Sequence, residues 1–92
     1  MAWNYEFKPS AAKKMEKLEA PAREQILAAL ERLAQELTSQ GRPVLSEVAK
    51  LQGSSDKYRL RAGTWRVIFK FEADHLVVLV LDLGHRREIY RD

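Results

Sequence analysis

Cysteine is absent from the 92 residues, which excludes disulfides and every thiolate-ligated metal site. Glycine is scarce, and no glycine-rich loop opens a helix, so P-loop or dinucleotide-type phosphate binding lacks its signature. The longest apolar run, Leu76 to Leu81, has only strand length, whereas a membrane span needs about 20 residues. No positively charged start leads into an apolar segment, so no secretory leader is expected. His75 and His85 lack carboxylates at ligand spacing, so no metal site is expected either. No serine sits in a nucleophile elbow. These absences point to a soluble cytoplasmic protein with no cofactor and no membrane association.

Hydrophobic residues make up 46% of the chain, which favours a folded globule over disorder. At this length the expectation is one domain over residues 1–92, with a modest core. The net charge of +3 is mild but unevenly placed. From Lys50 to Arg66 the basic residues Lys50, Lys57, Arg59, Arg61 and Arg66 face Asp56 alone, while residues 10–40 mix both signs. A basic strand region beside a charge-balanced remainder suits an anionic partner, nucleic acid being the commonest.

Periodicity gives the elements. Trp3, Tyr5 and Phe7 alternate with Asn4, Glu6 and Lys8, the pattern of a half-buried strand that Pro9 closes. Ser10 is placed to cap a short helix whose Ala11, Met15 and Leu18 share a face. Pro21 suits the first turn of a second helix, in which Ile26, Leu30, Leu33 and Leu37 form one stripe before Gly41 and Pro43 stop it. Residues 44–56 carry no clear period and stay open between a helical turn and an irregular connection. Strands then follow at "KYRLR", "WRVIFKF" and "HLVVLVLDL". The last lacks alternation and reads as a central strand buried on both faces. Strand, two-helix hairpin and three-stranded antiparallel run predict an α+β domain with both helices on one face of a single sheet. Arg59, Arg61 and Arg66 then point to the other face.

Arginine, lysine, tyrosine and one histidine near the sheet and tail fit phosphodiester chemistry in RNA. A nucleotide's 2′-hydroxyl can attack its own 3′ phosphate, so neither a metal nor an enzyme nucleophile is required. The protein must orient the backbone, stabilise charge on the phosphorane and move two protons. Arginine's planar fork suits the second task, and tyrosine can stack on an unpaired base or share the proton work. Arginine is a poor base because it stays protonated at physiological pH.

"KLQGSSDKYRLRAGTWRVIFKF" followed by "LVVLVLDLGHRREIYRD" resembles the RelE/ParE superfamily of toxins, on the RelE side, and the likeness covers nearly the whole chain. The resemblance implies an mRNA interferase that enters the ribosomal A site and cuts the codon there. It also implies a RelB-like antitoxin partner, through which alone operator DNA would be contacted. Carried over by motif, Arg59 and Arg61 occupy basic positions on the first central strand, and Arg66 is the expected contact to the scissile phosphate. Arg86 matches a further basic active-site position, Tyr90 the base-stacking aromatic, and Lys50, Lys57 and Arg87 outer contacts to RNA. The best-known branch has lysine at both strand positions, one of them proposed as the base. Here both are arginine, which leaves His85 and Tyr90 as candidates for that role. The alternative within the superfamily is a ParE-like toxin that blocks DNA gyrase by protein contacts without catalysis.

Overall fold

A computed structural model describes residues 2–43 and 47–85. The N-terminal alternation becomes β1 (Asn4–Phe7), with Tyr5 and Phe7 packed against the core and Asn4 and Glu6 exposed. Helix α1 (Pro9–Glu16) starts earlier than the sequence suggests. Pro9 lies in its first turn, where the missing N–H costs nothing, so Lys8 is the cap and Ser10 falls inside the helix. Helix α2 (Ala20–Gln40) carries Pro21 in its first turn and buries the stripe of Ile26, Leu30, Leu33 and Leu37. Gly41 ends it in the left-handed region at φ 75°, its N–H donating to the Leu37 carbonyl at 3.0 Å.

Among the described residues the remaining strands are β2 (Val48–Lys50), β3 (Tyr58–Ala62), β4 (Trp65–Glu72) and β5 (Val77–His85). They join β1 in one sheet of order β1-β5-β4-β3-β2. β1 runs parallel to β5, and every other neighbouring pair is antiparallel. β2 lies in the stretch whose period was unclear; at three residues it is too short to show one. The β3–β4 hairpin turns through Gly63 and Thr64, with positive φ (64°) at Gly63 alone, the pattern of a II′ turn that suits the twist of the strands.

Both helices cover one face of this α+β sheet. Ala11, Met15 and the α2 stripe meet Leu60, Val67, Phe69, Val78, Val80 and Leu83 in a single core. Phe69 is fully buried within it and stacks on Tyr58 with ring centroids 5.8 Å apart.

β5 differs from the expectation of a strand buried on both faces. Val78, Val80 and Leu83 are buried in the core, while Val77, Leu79 and Leu81 remain half-exposed. Period two breaks between 80 and 83 because β5 carries one extra residue there: Phe69 of β4 pairs with Val80, but Ile68 pairs with Asp82, leaving Leu81 over. Such a bulge reverses the parity of everything after it. The Asp82 carboxylate fastens the bulge, accepting from the Leu83 N–H at 2.9 Å and from Lys14 Nζ of α1 at 2.6 Å. Both partners of that ion pair are about half exposed, so it contributes at most about 1 kcal/mol.

Candidate active site

Alternation on β3 and β4 puts Leu60 and Val67 into the core and leaves Arg59, Arg61 and Arg66 to the opposite face. Register then aligns them. Arg61 pairs across the hairpin with Arg66, and Arg66 pairs with Gly84 of β5. Arg59 lies between Ala49 of β2 and Ile68 of β4. Two guanidinium side chains directly opposite one another repel, so an anion bound between them is favoured electrostatically.

The three arginines differ in exposure. Arg61 is exposed and Arg59 half-buried, whereas Arg66 retains 8% of its surface. Arg66 Nη1 donates to the carbonyls of Gly63 and Trp65 at 3.3 and 3.2 Å, which ties the guanidinium to the hairpin turn. Preorganisation of this kind lowers the entropy lost when a phosphate is gripped.

Glu47 was not singled out from the sequence, because only the pairing of β2 with β3 reveals its position. Its carbonyl accepts the Arg61 N–H at 3.0 Å, extending the ladder one residue beyond β2. The cross-strand row is thus Glu47, Arg61, Arg66 and Gly84. Glu47, Ala49, Arg59, Arg61 and Arg66 together line a recess of about 70 Å³. The one available signal in the sequence is that Glu47 is the sole acidic residue between Glu36 and Asp56.

Other expected site residues lie elsewhere. His85 pairs with Trp65 and sets its ring edge-on to that indole, centroids 5.7 Å apart. It shares the parity of the buried Leu83, and so sits on the helix-bearing side, away from the arginine row. Lys50 pairs with Tyr58 and is likewise on the opposite parity from Ala49. Lys57 is nearer: it shares the parity of Arg59 and lines an adjoining groove of about 470 Å³ with Lys8, Ile68, Lys70, Leu81 and Asp82 among others. Arg86, Arg87 and Tyr90 fall outside the described residues.

A sheet of this kind backed by two helices has known counterparts. The family model for the ParE toxin of type II toxin–antitoxin systems, parDE, matches residues 5–90. The chain belongs to this toxin family. Its fold is that of the RelE toxins. The toxin-antitoxin complex RelBE2 from Mycobacterium tuberculosis superposes with a TM-score of 0.74 at 19% identity, over 94% of this chain and all (100%) of the matched one. The archaeal RelE–RelB complex from Pyrococcus horikoshii gives 0.69 at 25% identity, covering 94% and 97% of the two chains. The isolated RelE toxin from E. coli gives 0.66 at 29% identity, covering 91% and 84%. No curated protein matches the sequence. The toxin is thus a member of the RelE/ParE superfamily with a RelE-like fold.

Proposed function

We propose that this toxin is a ribosome-dependent endoribonuclease that cuts mRNA in the A site, held inactive by a cognate RelB-like antitoxin. The observation that carries the reading is the convergence of Arg59, Arg61 and Arg66 around one recess on the helix-free face. A protein that only bound another protein would have no need of guanidinium groups converging on a single phosphate-sized point. RelE toxins at 25% identity or more share the fold, and several of their structures contain RelB.

In this reading the 2′-oxygen attacks phosphorus in line, and the P–O5′ bond breaks to leave a 2′,3′-cyclic phosphate and a free 5′-hydroxyl. Arg66, fixed by the turn carbonyls, stabilises the phosphorane, and Arg61 and Arg59 share its charge. Lys57 and the adjoining groove take the flanking RNA backbone. Arg86, Arg87 and Tyr90 are assigned by the family motif alone, as phosphate contacts and a base-stacking aromatic. Operator DNA is reached only through the antitoxin.

The ParE name of the matching family favours one other reading, a non-catalytic gyrase inhibitor. Mapping of mRNA ends in a translating extract decides between the two. Cuts inside codons that require ribosomes are expected; intact mRNA together with blocked gyrase supercoiling would transfer the assignment to the second reading.

A further inference from the structure

The endoribonuclease reading needs a group that removes the 2′-hydroxyl proton, and the arginine row cannot supply one, because a guanidinium does not give up its own proton near neutrality. His85 sits across the sheet beside Trp65. Among the described residues lining the arginine recess, Glu47 alone has a side chain that can accept a proton. Its Oε1 is shut off from solvent and has no hydrogen-bond donor. A buried carboxylate oxygen without a donor costs stability, and this one stands among Arg59 and Arg61 of β3 and Arg66 of β4. A substrate phosphate drawn to those arginines brings its own 2′-hydroxyl, a donor, into the same recess.

We infer that Glu47 is the general base of RNA cleavage by this toxin. The 2′ O–H proton passes to the Glu47 carboxylate as the 2′-oxygen forms its bond to phosphorus. The P–O5′ bond breaks, its electrons stay on the 5′-oxygen, and that oxygen takes a proton from water. In-line displacement holds the 2′ and 5′ oxygens on opposite sides of phosphorus, so one carboxyl group cannot serve both. Arg59, Arg61 and Arg66 hold the phosphate beside the carboxylate.

A purely electrostatic role is the competing one, with Glu47 acting only as a counter-ion that keeps three like charges together. The two roles separate in single-turnover cleavage on ribosomes programmed with a defined mRNA, comparing wild type, Glu47→Gln and Glu47→Asp across pH. A general base predicts that Glu47→Gln still binds the programmed ribosome but cuts about 10²–10⁴-fold more slowly. Wild type should slow as pH falls, because a protonated carboxyl cannot accept a proton, and Glu47→Gln should lose that acidic limb. Glu47→Asp should keep the limb at reduced rate, and it decides the matter should Glu47→Gln fail to fold by circular dichroism. Wild-type rates in Glu47→Gln, or in Glu47→Asp where that is the deciding variant, would overturn the assignment and leave a counter-ion. If wild type itself leaves mRNA intact on ribosomes, the endoribonuclease reading falls and takes the base with it.

Discussion

Arg66 owes its position to a glycine three residues earlier. Gly63 adopts a positive φ, and a Cβ built there would lie 2.5 Å from Gln25 Nε2 of α2. Gly63→Ala should therefore cost about 1–2 kcal/mol of stability by urea unfolding. It should also weaken cleavage beyond that loss, because the Gly63 carbonyl holds the Arg66 guanidinium. An unchanged unfolding midpoint would mean that the turn tolerates a side chain. A second residue-scale effect is alkaline. Burial first, then the hydrogen bond and negative charge of Glu31, raise the Tyr5 hydroxyl above its ordinary value. The fold favours the protonated phenol, so this contribution is whole below the unfolded value of about 10 and is lost as pH rises through the folded one. Tyr5→Phe should lose stability less steeply than wild type above about pH 10; parallel slopes would show that Tyr5 has no part in the alkaline limb.

At the scale of elements, the bulge at Leu81 determines which side chains reach which face. Deleting Leu81 would restore simple alternation from Val80, with Asp82 still opposite Ile68 and Leu83 still opposite Val67 in the core. The expected cost is under about 3 kcal/mol, since no core side chain is lost and no carboxylate is buried. Leu81→Ala, which keeps the extra residue, should cost under about 1.5 kcal/mol because the side chain is only partly buried. A loss well above about 3 kcal/mol on deletion would contradict this register, because it would mean that core side chains had changed face. The same feature marks where sequence reasoning ran out. Alternation over "YRLRAGTWRVIF" placed Arg59, Arg61 and Arg66 on one face because hydrophobic side chains mark the other in strict period two. "LVVLVLDLGH" carries no such mark: its apolar residues fill both faces, so the parity reversal that sends His85 toward Trp65 is invisible until the register with β4 is known. β2 is too short to show a period, and the proximity of Glu47 to Arg61 depends on a pairing between residues distant in sequence.

Over the whole molecule, two helices seal one face of the sheet and leave the arginine row on the other. Neutralisation by an acidic antitoxin segment laid across that face would pair its carboxylates with the guanidinium groups and exclude RNA by occupancy. Arg61, exposed in the free chain, should react with an arginine-selective dicarbonyl reagent and be protected when the antitoxin is bound. Equal labelling of Arg61 in both states would place the antitoxin elsewhere and call for inhibition at a distance.

Cleavage at a defined A-site codon tests the central claim most directly. Wild type and Arg66→Ala would be added to ribosomes holding one mRNA, with the ends of the fragments characterised chemically. The arginine row predicts a 2′,3′-cyclic phosphate and a 5′-hydroxyl from wild type, and a rate at least about 10²-fold lower from Arg66→Ala at equal ribosome binding. Equal rates from the two proteins, or a 5′-phosphate at the cut, would contradict it.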